Sequence, residues 1–153
     1  NREAPFAGFF FATMKESTLW EHLKPELKRL GKFQKVSDRF TPGVPDVLGA
    51  LLGIPVAMEL KEFDGVLVLK VKFRPGQVDW LEDWQKARGV SLILSTQGQT
   101  VYAHGIEDAL QLEAGIPPQE VIKRSLLTFT KTRQNTWRKF VTKLLYLIKS
   151  RHQ

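Results

Sequence analysis

Residues 43–63 read GVPDVLGALLGIPVAMELKEF, and the reading of the whole chain turns on them. Two apolar runs with β-branched content, Asp46–Leu52 and Ile54–Phe63, are separated by the single Gly53, which is a hairpin signal. If the second run is extended, alternation puts Glu59 and Lys61 on one face and turns Leu60 into the core. A carboxylate and an ammonium then share one small site. Asp46 opens the preceding strand of the hairpin, so its carboxylate reaches the same place. Two carboxylates and a backbone carbonyl, that of Leu60, make a hard-oxygen donor set suited to Mg²⁺ or Mn²⁺, ions that keep waters and bind phosphate. Such an ion polarises a phosphodiester and lowers the pKa of a bound water, while Lys61 orients that water or offsets charge in the transition state. No covalent nucleophile is required. The plainer readings are a turn carboxylate at Pro45-Asp46 and a solvated strand face at Glu59 and Lys61. Asp46 alone favours the turn; the three residues together favour the site.

Upstream, Leu19, Trp20, Leu23, Leu27 and Leu30 form a helical stripe between about Thr13 and Leu30, with Thr13-Met14-Lys15-Glu16 as a capping box. Pro25 predicts a kink or two abutting helices. At about 100° per residue the stripe covers about 0° to 100°; Glu16 falls near about 60°, toward the sheet, and Glu21 near about 200°, toward solvent. After Gly31, Phe33–Phe40 reads as a first strand running into the turn Thr41-Pro42-Gly43-Val44-Pro45. Downstream, Val66–Phe73 alternates and reads either as a strand or as a flap over the site. Beyond Arg74-Pro75-Gly76, the stretch Gln77–Arg88 has helical phase, with Trp80 and Trp84 four apart as core residues. Val90–Ser95 and Thr100–His104 are two more strands. The order is helix, three strands, helix, two strands: an α/β fold with a mixed sheet flanked by helices. After Gly105 the pattern reads as helical to the end. His22, His104 and His152 lack ligand spacing and read as surface residues.

With 153 residues, 42% of them apolar and 25% charged, the chain suits one soluble globular domain. Its net charge of +7 predisposes it to polyanions, of which nucleic acid is the commonest. That charge is unevenly placed. Residues 118–153 hold nine basic groups against one acid, Glu120, whereas the remainder has a net charge of −1. Expected segments are therefore an aromatic arm over 1–12 (Phe9, Phe10 and Phe11 in a row), a core over 13–117 and a basic helical C-terminal extension over 118–153. In the last, Trp137, Phe140, Val141, Leu144, Leu145 and Ile148 form an apolar stripe expected to pack on its own domain or in a dimer. Arg138, Lys139 and Lys143 lie off that stripe and are expected to meet nucleic-acid phosphates. No cysteine is present, which removes disulfides, thiolate nucleophiles and cysteine zinc sites together. The aromatic stretch is too short to span a bilayer and lacks a secretory pattern, so no membrane is expected and the expected location is cytoplasmic, the host's cytoplasm if the chain is phage-encoded.

Glu16-Ser17-Thr18-Leu19-Trp20, Gly43-Val44-Pro45-Asp46-Val47, Glu59-Leu60-Lys61 and Arg74-Pro75-Gly76-Gln77, in that order, resemble the PD-(D/E)XK nuclease superfamily, most closely the compact VRR-NUC-like enzymes of phages and bacteria. The resemblance runs from about Lys15 to Gly105. It implies a restriction-endonuclease-like core and a Mg²⁺- or Mn²⁺-dependent endonuclease acting on DNA, including branched or otherwise structured DNA of the kind a Holliday-junction resolvase cuts. It further implies that Asp46 and Glu59 bind the metal, that Lys61 assists the attacking water and that Gln77 supports the phosphate or water. The resemblance also implies that the N-terminal Glu16 completes the metal site and that a homodimer or higher oligomer supplies two sites for two strands. The stretch Glu62–Phe73 departs from the family pattern, being longer and more apolar than the usual connection. The rival readings are a nucleic-acid-binding protein that keeps the fold without catalysis, and a phage structural or packaging component.

Overall fold

The computed structural model describes residues 12–36 and 41–152. The aromatic arm, apart from Ala12, and the expected strand end at Ser37–Phe40 lie outside the described residues. The chain forms α1 (Glu16–Lys28), β1 (Gly31–Lys35), β2 (Val47–Leu51), β3 (Ile54–Glu62), α2 (Gln77–Lys86), β4 (Val90–Gln97) and β5 (Thr100–Gly105). A 3₁₀ turn, Ile106–Asp108, leads into α3 (Ala109–Ala114), α4 (Pro118–Arg124), β6 (Leu127–Thr130) and α5 (Trp137–Arg151).

The six strands make one mixed sheet in the order β1-β2-β3-β4-β5-β6. Every neighbouring pair is antiparallel except β3 and β4, which run parallel and are joined through α2. The β2–β3 hairpin closes through Leu52 and Gly53, both at positive φ (51° and 81°), the backbone that a two-residue turn requires to match strand twist. Gly49 is needed for packing: a Cβ there would lie 2.4 Å from the Phe33 ring on β1.

Alternation along β3 sorts the two faces. Val56, Met58 and Leu60 pack with α1 (Leu19, Leu23, Leu27) and α5 (Phe140, Leu144, Ile148) in one cluster. Ala57 lies on the opposite face, in a second cluster with Leu81 of α2, Leu112 of α3 and Val121 of α4. Strand β4 is covered on both sides, so its residues are buried almost throughout, as a central strand demands.

Several expectations are corrected. The stretch after Gly105 is not helical throughout: Leu127–Thr130 pairs antiparallel with β5 as the sheet edge. With α5 in the main cluster, residues 118–153 thus supply both a strand and a core helix. α1 runs unbroken through Pro25, so two abutting helices do not form. The capping box is absent too. Lys15 is the N-cap residue and makes no side-chain cap, while Thr13 Oγ1 accepts from the Gly98 N–H at 3.2 Å. His104 is fully buried, its Nε2 2.9 Å from the Val121 carbonyl. Val66–Phe73 joins no sheet strand; its backbone is held by bridges of Asp64 with Lys70 and of Leu69 with Ile116. Trp80 and Trp84 stack at 5.0 Å and pack, partly buried, against the second cluster, at its margin and not within it. Among the described residues no helix is long and apolar enough to cross a membrane.

Candidate active site

Glu59 and Lys61 sit on the α2 face of β3, as alternation requires, and both are buried in spite of their charge. Burying an ionisable group is costly unless it is paired, so the partners reveal what the site is built around. β2 ends at Val47, opposite Met58, and leaves the edge of β3 beyond that point without a strand neighbour. Asp46 fills the gap. Its N–H donates to Glu59 Oε1 at 2.9 Å, and its Oδ2 accepts from the Leu60 N–H at 2.9 Å. A strand residue sends its N–H and C=O to the same edge, so the Leu60 carbonyl faces the Asp46 side as well.

Lys61 is fixed from two directions. Its Nζ donates to Gln77 Oε1 at 2.9 Å and lies 3.4 Å from Glu59 Oε2. The Phe73 ring, 5.2 Å from Nζ to centroid, covers it with the negative face of an aromatic. Gln77 is the first residue of α2, fully buried, and its Oε1 also accepts the Arg74 N–H at 2.8 Å. One amide oxygen therefore ties the Lys61 ammonium to the backbone that enters α2.

Negative charge in the site exceeds what Lys61 neutralises. Burial, followed by the field and hydrogen bonding of Asp46, pushes the Glu59 carboxyl up to about 8, although Lys61 pulls the other way. The acidic pair accordingly retains a proton into the neutral range when no other cation is present. Glu59 Oε2 is buried and accepts no hydrogen bond, and Gln77 Nε2 is likewise without an acceptor. A buried carboxylate oxygen that has only the 3.4 Å ion pair with Lys61 and no hydrogen bond, beside a second carboxylate, is what a hard dication would satisfy, and the donor chemistry of Asp46, Glu59 and the Leu60 carbonyl fits Mg²⁺ or Mn²⁺.

Glu16 stands at the margin. The chain before α1 is pinned to the end of the sheet by the Met14 N–H on the Gly98 carbonyl at 2.9 Å and by Thr96 Oγ1 on the Met14 carbonyl at 2.6 Å. Half-burial raises the Glu16 pKa, and Asp46 adds to that while Lys61 opposes it, so Glu16 lies within electrostatic reach of the pair. Among the described residues, however, no three His, Asp or Glu side chains converge into a ready ion cage.

The structure thus brings together Asp46, Glu59, Leu60, Lys61 and Gln77, and leaves Glu16 within electrostatic reach of them. It does not bring Arg138, Lys139 or Lys143 to them. α5 packs on the other face of the sheet, Arg138 pairs with Glu26 at 3.3 Å and Lys139 donates to the Gln134 carbonyl at 2.7 Å. The residue that sequence reasoning left without a role is Arg74, whose Nη2 is 3.8 Å from Asp46 Oδ1 with most of its side chain exposed. The available signal was its place just before the Pro75-Gly76 turn that delivers Gln77. Comparison with protein-family models and with curated proteins finds no match for this chain.

Proposed function

We propose that the chain is a Mg²⁺- or Mn²⁺-dependent endonuclease that hydrolyses phosphodiester bonds in DNA, on a restriction-endonuclease-like core. The observation that carries this reading is the convergence of Asp46, Glu59 and Lys61 at the unpaired edge of β3, with buried Gln77 behind the ammonium. The sequence of one helix, a three-strand antiparallel meander, a second helix and a strand parallel to the third agrees with the core that the motif order implies. A binder that kept the fold without catalysis would have no use for a buried Glu59 carboxyl whose ionised form is penalised by burial and by the adjacent Asp46.

In this reading Asp46, Glu59 and the Leu60 carbonyl would hold the ion. A bound Mg²⁺ or Mn²⁺ supplies polarisation of the scissile phosphate and a lowered pKa for a coordinated water. The protein's own part is positional and electrostatic. Lys61, held by Gln77 and roofed by Phe73, presents a fixed positive charge to the attacking oxygen and to charge growing on the phosphate. Glu59 would have to be ionised to hold an ion there, which would couple binding to pH. Arg74 stands at the mouth, where a phosphate oxygen competes with Asp46 for its guanidinium. Cutting both strands of a duplex needs two such sites, which is the ground for expecting a dimer.

The test is a gel of supercoiled, linear, single-stranded and four-way-junction DNA incubated with Mg²⁺, Mn²⁺ or chelator. Wild type is expected to cleave only with metal, while Asp46→Asn, Glu59→Gln and Lys61→Ala lose cleavage and still shift DNA. Intact DNA in every wild-type lane, or undiminished cutting by Glu59→Gln, rejects the reading.

A further inference from the structure

Between β3 and α2 the chain makes an excursion, residues 63–76, that the candidate chemistry uses only at Phe73 and Arg74. Its base is rigid. Asp64 and Lys70 exchange backbone hydrogen bonds at 2.8 and 3.0 Å, Leu69 and Ile116 do so at 2.8 and 3.0 Å, and the Val71 N–H donates to the Leu112 carbonyl at 3.0 Å. The pinched loop carries three consecutive apolar residues into solvent: Val66, Leu67 and Val68 are 52%, 84% and 51% exposed. Exposing such a run on a backbone-locked loop is a cost that folding does not repay.

The return arm alternates strictly. Leu69, Val71 and Phe73 are buried, and Lys70, Lys72 and Arg74 face outward. Arg74 stands 3.8 Å from Asp46, so the row of cations begins at the candidate site and leads from it to the apolar tip. At about 3.3 Å per extended residue, Arg74 to Lys70 spans about 13 Å, the axial length of about four charges of one duplex strand. Among the described residues, neither Lys70 nor Lys72 enters an ion pair. The cleft of about 370 Å³ beneath them is shared with Glu62, Asp64 and Glu113, so it is no anion pocket, and phosphates would meet the outward row instead.

We infer that residues 64–74 form a DNA guide: Lys70, Lys72 and Arg74 track the phosphates of one strand toward the acidic pair, while Val66, Leu67 and Val68 press as a wedge into the base stack of the same duplex. The inference rests on the nuclease reading and adds to it the surface that engages the substrate. Charge complementarity selects the occupant, since an apolar tip joined to a regular file of outward cations, Lys70 and Lys72 without an ion pair among the described residues and Arg74 paired only with Asp46 of the candidate site, matches a polyanion with an apolar stacked interior. Apolar wedges of this kind partly unstack a base step and bend the duplex.

The test measures binding in chelator, so that it is independent of cleavage. The probe is a duplex with 2-aminopurine at alternate adenines, whose fluorescence rises when a step is unstacked. Wild type is expected to raise the fluorescence and to show a steep salt dependence. Lys70→Ala with Lys72→Ala is expected to flatten the slope of log K against log salt by about two, at about 0.9 per lost phosphate contact. Leu67→Ser, at a position too exposed to affect folding, is expected to keep the slope and abolish the fluorescence rise. An unchanged slope in the double variant, or a full fluorescence rise with Leu67→Ser, overturns the guide. So does sedimentation in which Leu67→Ser turns a dimer into a monomer while the fluorescence response persists, because the tip is then a contact between copies. If wild type cuts no DNA with any metal while the two variants behave as expected, the nuclease reading falls and the guide stands as a binding surface.

Discussion

Replacing Glu59 by Gln is expected to change how stability depends on pH, and the sign follows from the site. In the folded chain the Glu59 carboxyl holds its proton up to about 8, against an ordinary value of 4.5, because burial and the adjacent Asp46 penalise its ionised form. The folded state therefore binds this proton more tightly than the unfolded state. The stabilisation is complete below the unfolded value and is lost as pH rises toward about 8. The limiting slope is about 1.4 kcal/mol per pH unit, so between pH 5 and pH 8 the metal-free protein should lose up to about 4 kcal/mol through this one group. Gln cannot ionise, yet it can still accept from the Asp46 N–H. Urea titrations in chelator across that range, for wild type and Glu59→Gln, should give curves that diverge as pH rises, with the variant the more stable at pH 8 and m-values unchanged. Glu16 titrates with the same sign and buried His104 with the opposite one, but both are common to the two proteins and cancel in the difference. Parallel curves would refute the argument, since they would mean that Glu59 ionises in the folded chain as it does in water.

Lys61→Ala removes the cation that pairs with Glu59 Oε2 and is expected to lower kcat by about 10²- to 10³-fold with DNA affinity retained, as a metal-saturated kinetic series would show. Gln77→Ala frees Lys61 and the Arg74 N–H together; a fall of about 10- to 100-fold in kcat, with far-ultraviolet circular dichroism unchanged, is expected from losing such a support. Phe140→Ala opens a cavity where α5 meets the sheet and should cost about 3 to 5 kcal/mol in urea denaturation. Ala at Arg138, Lys139 and Lys143 together is expected to leave the salt slope of DNA binding unchanged, because α5 packs on the sheet face opposite the acidic pair.

The candidate site was legible because β3 translates sequence parity directly into facing: Glu59 and Lys61, two apart, had to share a face, and Asp46 had to lie where the hairpin began. The stripe from Trp137 to Ile148 was equally plain, since only a helix brings those residues to one side. Less was readable where tertiary bonds replace local ones. Leu127–Thr130 is four residues long and sits between two helices, so its strand state comes from β5 and not from its own pattern. Leu69, Val71 and Phe73 alternate as a strand would, but their backbone N–H groups donate to the Ile116 and Leu112 carbonyls and to the Glu113 carboxylate, on a distant part of the chain. Thr13 could cap a helix or hold a turn, and the Gly98 N–H took it. His104 is buried because α4 folds back over β5 and brings the Val121 carbonyl to 2.9 Å from its ring. No spacing rule reports that.

Calorimetric titration of Mn²⁺ into the metal-free protein at pH 7, run in two buffers of different ionisation enthalpy, tests the central claim most directly. If Asp46 and Glu59 form a hard-cation site whose shared proton the ion displaces, wild type will bind Mn²⁺ with release of about one proton, and Glu59→Gln will bind it far more weakly and release none. Wild type that takes up no Mn²⁺, or Glu59→Gln that binds it as wild type does, would contradict the account.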